Sequence, residues 1–351
     1  MTVTLRTRDG ERRDFPCEPG ENILHAGLHR GIALAYQCAT GTCGSCKARL
    51  VAGRAESRWL DAPGARHCRE PDELLTCQSV AHGDCTLEVR RIRPAEAGTP
   101  RPVHLSGRLR APRRLTADVV TFEVDLDRPL NFHAGQFALL GVPGIAGARA
   151  YTMVDFQRAA RRLSFVVKRK PGGAVSEWLF GQPAPDGAPL ALFAPLGHAV
   201  FHGGVKKHLL CLAGGTGIAG MVAMLRSGIA ADNFSGRSAH VFFGVRTARD
   251  VFFLDELSAL RAGNRDRLTM TVALSDEDVP DWLAAAHPGL GFARGLVHEV
   301  AGARMRDRFG DLRADLRAYV AGPAPMVQAS VRLLLRQGQL PAADIRYDAF
   351  S

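Results

Sequence analysis

Three cysteines, Cys38, Cys43 and Cys46, stand within nine residues, and a fourth, Cys77, follows thirty-one residues later. The local text Cys38-Ala-Thr-Gly-Thr-Cys43-Gly-Ser-Cys46 is C-x4-C-x2-C, and with a distant fourth cysteine it has the spacing of a plant-type [2Fe–2S] centre. The spacing has a physical basis. Thiolates must converge on two irons from one tight loop, with the last ligand supplied by another element. Small residues at Gly41, Gly44 and Ser45 let the backbone wrap closely and aim N–H groups at sulfur. Structural zinc more often uses two short Cys or Cys/His pairs, whereas here a triple faces a lone cysteine.

A disulfide framework does not suit the chain. It has 351 residues, enough for two or three domains, and its first residues lack an apolar signal-peptide core. No run approaches eighteen apolar residues, so no membrane-spanning helix is expected and the reading is cytoplasmic. The other cysteines, Cys17, Cys68, Cys85 and Cys211, are expected to be small buried hydrophobes.

The net charge is +10. Such a balance can mean nucleic acid or an anionic membrane. Here residues 1–93 hold 14 Lys/Arg against 12 Asp/Glu, the remaining cations are scattered among acids, and no basic tail or aromatic stacking platform is present. Neither nucleic acid nor a membrane is therefore expected as a partner. An Arg-rich composition with sites for anionic cofactors accounts for the charge.

Three blocks follow one another. Residues 1–93 open with an alternating strand, Thr2–Thr7, then carry a helix over Asn22–Leu28, the cysteine loop and a closing strand at Leu87–Val89. Residues 94–103 read as a Pro/Gly/Ala linker. Residues 104–204 carry short β runs at Val119–Leu126, Gln136–Val142, Ala150–Val154 and Leu163–Lys168, with a helical stretch Val175–Phe180, which predicts an antiparallel barrel. In residues 205–351 the apolar runs His208–Ala213, His240–Val245, Leu268–Leu274 and Ala318–Ala321 alternate with helical stretches, which predicts a parallel α/β sheet.

Between the first of these runs and an apolar helix, Met221–Leu225, lies Ala213-Gly214-Gly215-Thr216-Gly217-Ile218-Ala219-Gly220. Glycines there let a pyrophosphate approach the backbone, although a plain tight turn has the same look. Arg149-Ala150-Tyr151-Thr152 is either an ordinary strand or a contact for a cofactor, in which Arg neutralises phosphate, Tyr borders a ring and a hydroxyl meets a ring nitrogen. Val167-Lys168 and then Pro171-Gly172-Gly173-Ala174-Val175-Ser176 make a second possible phosphate cradle. After His240–Val245, Arg246 and Asp250 are candidates for the adenosine ribose. An acid there binds the hydroxyls, an Arg attracts a 2′-phosphate, and both types are present; the Gly-Val-Arg-x-x-x-Asp pattern resembles that of NADH-using relatives, so NADH is favoured with NADPH possible.

In this order the motifs resemble the ferredoxin–NAD(P)H reductase superfamily, in the form with an N-terminal [2Fe–2S] domain, over essentially all 351 residues. The resemblance implies a β-grasp ferredoxin domain (1–93), a linker (94–103), an antiparallel FAD-binding barrel (104–204) and an NAD(P)H-binding α/β domain (205–351). It matches the flavin motif to Arg149, Tyr151 and Thr152, with Arg149 on the pyrophosphate, Tyr151 at the ring or ribityl side and Thr152 at the flavin N5. Gly173, Val175 and Ser176 match the second flavin-phosphate segment, and Ala150, Val167 and Lys168 complete the flavin set. Gly214, Gly215, Thr216 and Gly217 match the nucleotide turn, and Gly322, Pro323 and Met326 match a later C-G-P-x-x-M. Phe350 matches the terminal aromatic over the flavin and Asp348 the acid before it, a proton relay. The chain departs from the family's Pro at Gly220 and from its Cys at Ala321.

The implied activity is a monomeric reductase passing electrons from NADH through FAD and the cluster to a terminal oxygenase or its small ferredoxin. A stretch at Trp59–Gly64, which a surface loop with a buried Trp also explains, looks like reductases of toluene- and alkene-type diiron monooxygenases. A Rieske dioxygenase, a deoxysugar dehydrase as acceptor, and a weakened redox sensor remain alternatives. Docking is expected around Gly41–Ser45, near Lys47 and Arg49.

Overall fold

The computed structural model describes residues 1–92, 94, 98–201, 206–308 and 315–350; for residues 306–308 and Phe350 it describes the backbone only. The chain divides into two compact units. The first comprises Met1–Gly107, Phe137–Ala150 and Pro189–Gly197; the second comprises Arg108–Gln136, Tyr151–Ala188 and His198–Ser351.

The first unit opens with β1 (Thr2–Arg6), β2 (Arg12–Pro16), helix α1 (Ile23–His29), β3 (Lys47–Ala52), β4 (Ala55–Ser57), β5 (Glu73–Leu75), β6 (Ser79–Ala81) and β7 (Cys85–Glu88). Five of these form a mixed sheet in the order β2-β1-β7-β3-β5, and β4 pairs with β6. The parallel β1–β7 pairing brings the chain's start to the strand that follows Cys77, so the sheet closes around α1. Asn22 caps that helix, its Oδ1 accepting from the N–H of His25. Buried Ile23, Leu24, Ala26 and Leu28 face the core that also takes in Leu5, Phe15 and Leu87.

Strands β8 (Val103–Arg114), β9 (Val119–Leu130), β10 (Phe137–Gly141), β11 (Arg149–Thr152), β12 (Ala160–Lys168) and β13 (Pro189–Leu196) follow, with α2 (Ala174–Leu179) before the last. β9, β10, β11 and β12 fall on the four β runs expected of the barrel, and β8 and β13 are additional. In the first unit β10 pairs antiparallel with β13 (Leu139 opposite Phe193), and in the second β12 pairs antiparallel with β9 (Phe165 opposite Phe122). The alternating burial of β9, from Val120 to Leu126, is the period of two that a half-buried strand requires.

The second unit continues with β14 (His208–Gly214), α3 (Ile218–Ala230), β15 (Ala239–Val245), α4 (Leu254–Ala262), β16 (Leu268–Leu274), α5 (Asp281–Ala286), β17 (Gly291–Arg294), α6 (Val297–Arg308), β18 (Leu316–Pro323), α7 (Ala324–Arg336) and β19 (Ile345–Phe350). The strands form one parallel sheet in the order β17-β16-β15-β14-β18-β19. β14 is buried along nearly its whole length, as a central strand covered by helices on both faces must be.

The helix after the glycine turn begins at Ile218, three residues earlier than the apolar run from Met221 suggests. Its first turns are wholly buried, and tertiary packing overrides the poor helix propensity of Gly220. One other expectation is corrected: Cys68 is half-exposed where Cys17, Cys85 and Cys211 are buried. Trp59 is 42% exposed, so a buried Trp does not explain the Trp59–Gly64 stretch. The middle of the expected linker, residues 95–97, lies outside the described residues. No helix among the described residues is long and apolar enough to cross a membrane.

Candidate functional site

The four cysteines of the loop come together as two pairs. The Sγ atoms of Cys46 and Cys77 are 3.2 Å apart and buried, while Cys38 and Cys43 hydrogen-bond to each other and are half-buried. The bond with Cys43 holds Cys38 down to about 4 and, with burial, keeps Cys43 up; likewise Cys46 is held low and Cys77 high. Among the described residues no three metal-ligating side chains converge on a single point. Two pairs suit two irons with two thiolates each, and fit a tetrahedral zinc less well.

The cradle is built from the backbone. The N–H groups of Thr40 and Ser45 donate to the sulfurs of Cys38 and Cys43, each at 3.4 Å. Such bonds stabilise thiolate, the form that ligates iron. Asn22 contributes twice: besides capping α1, its Nδ2 donates to the carbonyl of Cys77 at 2.5 Å. Thr76 ties the other side, its Oγ1 donating to the carbonyl of Cys46 at 3.1 Å. Gly44 has φ +76°, and a Cβ there would lie 2.5 Å from the His67 ring, so only glycine fits. Gly64 donates to the carbonyl of Gly41 at 2.8 Å and fastens the Trp59–His67 segment to the loop. Sequence reasoning passed over Asn22, Gly64 and His67. Asn22 carried a legible signal as a helix cap; the other two act only through contacts distant in sequence.

Of the residues expected at the flavin, Arg149 and Ala150 lie on β11 in the first unit, and Tyr151 and Thr152 continue the strand in the second. Arg149 is half-buried, with Nη1 donating to the carbonyl of Ala148 at 3.2 Å. Val167 and Val175 are core side chains, so anything they offer a ligand is backbone. Ser176 is buried and already engaged: it accepts from the N–H of Lys170 at 3.0 Å and contacts the Gly173 carbonyl at 3.0 Å. It therefore shapes the Lys170–Gly173 turn. Lys168 pairs with Asp118 at 3.0 Å.

The nucleotide residues gather where the parallel sheet reverses direction. From β14 the chain adds β15, β16 and β17 on one side and β18 and β19 on the other, so the carboxyl ends of β14 and β18 flank a topological switch point, where ligands bind in open α/β sheets. Gly214 ends β14, and Gly215–Gly217 form a single 3₁₀ turn before α3. A Cβ on Gly217 would sit 2.2 Å from the carbonyl oxygen of Ala321, and one on Gly214 would sit 3.1 Å from Pro323 and 3.5 Å from Met326. The two motifs, a hundred residues apart, thus pack backbone to backbone. Asp348 lies in register with Ala321 on the adjoining strand, buried, and burial alone pushes its carboxyl up to about 7. Phe350 ends the same strand opposite Pro323; its side chain lies outside the described residues.

Arg246 and Asp250 stand at the end of β15, paired at 3.2 Å. Asp250 also accepts from the N–H and hydroxyl of Thr247, and Asp118 approaches Arg246 at 3.9 Å. The guanidinium is thus compensated by two carboxylates. Asp118 was not singled out in the sequence, because nothing near it forms a motif.

Comparison with known proteins matches this layout segment by segment. Residues 6–82 match the 2Fe-2S iron-sulfur cluster binding domain, 106–201 the oxidoreductase FAD-binding domain and 211–332 the oxidoreductase NAD-binding domain. The chain is 36% identical over 355 residues to the ferredoxin–NAD(+) reductase component of the alkene monooxygenase system of Xanthobacter autotrophicus, covering 99% of this chain and 100% of that one. The chain belongs to the ferredoxin–NAD(P)H reductase superfamily, in the form with an N-terminal [2Fe–2S] domain. Another member similar to it is the xylene/toluene monooxygenase electron transfer component of Pseudomonas putida, 31% identical over 96% of this chain and 90% of that one. A solved member, the ferredoxin reductase in carbazole 1,9a-dioxygenase, superposes with a TM-score of 0.81 at 29% identity, covering 100% and 99% of the two chains. As a superfamily member the chain is an NAD(P)H-dependent flavin iron–sulfur oxidoreductase, with segments for a [2Fe–2S] cluster, FAD and NAD. The paired thiols and the N–H groups aimed at them fit the cluster.

Proposed function

We propose that this protein is the reductase component of an oxygenase system, a cytoplasmic monomer that takes electrons from NADH and delivers them to a terminal oxygenase or its small ferredoxin, with a diiron hydrocarbon monooxygenase favoured as the end acceptor. The observation that carries this reading is the full-length likeness to the alkene monooxygenase reductase. A Rieske dioxygenase is the second reading, and the structural likeness to the carbazole dioxygenase reductase favours it. The proposed domains are 1–93, 104–204 and 205–351, joined by residues 94–103.

When bound, FAD accepts the two electrons of a hydride and the cluster releases them one at a time. The chain's own residues bind, orient and insulate. Cys38, Cys43, Cys46 and Cys77 are the proposed iron ligands. The more accessible pair, Cys38 and Cys43, is the proposed exit side. Arg149, Ala150, Tyr151, Thr152, Val167, Lys168, Gly173, Val175 and Ser176 form the proposed flavin set, with Arg149 against the pyrophosphate and Thr152 donating at the ring. Gly214, Gly215, Thr216 and Gly217 give the nucleotide its close backbone approach. Gly322, Pro323 and Met326 wall the nicotinamide side, where Asp348 holds a proton and Phe350 is the proposed cover. Arg246, compensated by Asp250 and Asp118, offers no free charge for a 2′-phosphate, which supports NADH.

Anaerobic stopped-flow absorbance with NADH and, separately, NADPH tests the reading. Flavin bleaching followed by cluster bleaching, faster with NADH, is expected. Bound cofactors that neither nucleotide reduces would point instead to a sensor or to a carrier loaded by another protein.

A further inference from the structure

One group of side chains in the first unit belongs to none of the motifs. His25, on α1, stacks on Phe193 of β13 with ring centroids 3.9 Å apart and planes 15° apart. His104, at the start of β8, tilts against both, 5.5 Å from His25 and 4.6 Å from Phe193. The Nε2 of His25 is enclosed and has no hydrogen-bond partner among the described residues. Burial first, then the neighbouring His104 and Arg58, push this imidazole down to about 3. The ring is neutral at working pH and serves as a flat packing surface.

What the stack joins is specific. α1 begins at Asn22, whose amide holds the carbonyl of Cys77, the fourth cluster cysteine. A second tie reaches the same strand β13 from the other side of the cluster loop. The N–H of Gly197, just past β13, donates to the hydroxyl of Tyr36 at 3.0 Å, and Tyr36 stands two residues before Cys38. The first and last cysteines of the cradle are therefore each one short step from β13. Phe193 and Leu196 of that strand share one hydrophobic core with Cys46 and Cys77, and Ala148 and Ala150 pack against the same core.

We propose that the His25–Phe193 stack and the Tyr36–Gly197 hydrogen bond are the two struts that hold the cluster loop on β13, and so in fixed relation to the Arg149-Ala150 start of the flavin motif. His25, Phe193 and Tyr36 are then positioning residues for electron transfer from flavin to cluster. This inference rests on the electron-relay reading above. Electron transfer between two held centres weakens as their separation grows, and the protein sets that separation, so a loosened strut has a measurable effect.

The test uses holo-protein with matched flavin and iron content. In stopped flow with NADH, His25→Ala should slow the cluster-bleaching phase several-fold while leaving the flavin-bleaching phase unchanged. His25→Phe keeps a stacked ring and should restore the wild-type phase. Tyr36→Phe, which removes one hydroxyl and threatens the fold least, should slow the same phase more mildly. A second readout is independent of turnover: amide hydrogen exchange over residues 23–29 and 189–196 should rise in His25→Ala and not in His25→Phe. Wild-type cluster bleaching in both His25→Ala and Tyr36→Phe would overturn the proposal. So would a His25→Phe as slow as His25→Ala, which would assign the effect to imidazole chemistry. If wild-type protein bleaches its flavin but never its cluster, the relay reading fails, and the exchange measurement still decides whether the struts exist.

Discussion

Asp348 lies directly in register with Ala321 across the parallel β18–β19 pair, and burial is the cause that raises its carboxyl to about 7. The folded protein keeps this proton up to about pH 7, while the unfolded chain releases it near the ordinary 3.8. Between those values the native state binds the extra proton, so stability from this group falls as pH rises through the window and is lowest above it. Asp348→Asn removes the titration. Its melting temperature should exceed that of wild type at about pH 8.5, with the gap narrowing toward about pH 5.5. A gap independent of pH would mean that Asp348 does not titrate there.

Gly220 sets how closely α3 approaches the flavin strand. A Cβ at this position would meet the methyl of Thr152 at 3.1 Å, and Gly135 is the next neighbour at 3.9 Å. Gly220→Ala should therefore shift Thr152 by a few tenths of an ångström. The expected result is a flavin-reduction rate several-fold below wild type, with cluster content unchanged, because small misplacements at a reacting pair are costly. Rapid-mixing kinetics of flavin bleaching checks this, and an unchanged rate would mean that Thr152 has slack.

The chemistry of the chain was legible where ligands are close in sequence. The cysteine loop could be read from spacing alone, and the strand–glycine–helix order marked Gly214–Gly217, because both depend on local backbone. The beginning of α3 was misplaced since Gly217 and Gly220 argue locally against a helix that burial imposes. Asp118 and His67 were invisible for a shared reason: each acts on a motif residue from a distant point in the chain, without a pattern of its own.

The pairing of Arg246 with Asp250 and Asp118 predicts a route to altered cofactor choice. Asp250→Ala would leave Arg246 with only the 3.9 Å approach of Asp118 and a freer guanidinium. A charge-assisted contact to phosphate is worth about 1.5–3 kcal/mol, so the NADPH-to-NADH ratio of kcat/KM should rise by roughly tenfold or more. Loss of Thr247's hydrogen bonds to the same carboxylate should also lower NADH efficiency somewhat. A ratio that stays put would remove Arg246 from the ribose site.

Lys47 and Arg49, the cations expected to steer the acceptor, are already committed. Lys47 pairs with Glu73 at 2.7 Å, and its hydrogen bond to that carboxyl is the largest influence holding Glu73 down to about 2; Arg49 pairs with Asp72 at 3.4 Å. Reversing either charge would set two acids against each other and confuse docking with local repulsion. Arg66 and Arg69 are better probes. They flank His67, whose ring covers Gly44 of the cluster loop, and neither side chain has a carboxylate partner among the described residues. If an acidic acceptor docks over the more accessible Cys38–Cys43 side, Arg66→Glu should slow cluster-to-acceptor transfer at low ionic strength. The deficit should shrink as salt shortens the screening length toward about 8 Å at physiological strength. NADH-driven bleaching of the protein's own cluster should be unaffected, which separates docking from internal transfer. A variant as fast as wild type in low salt would place the docking face elsewhere.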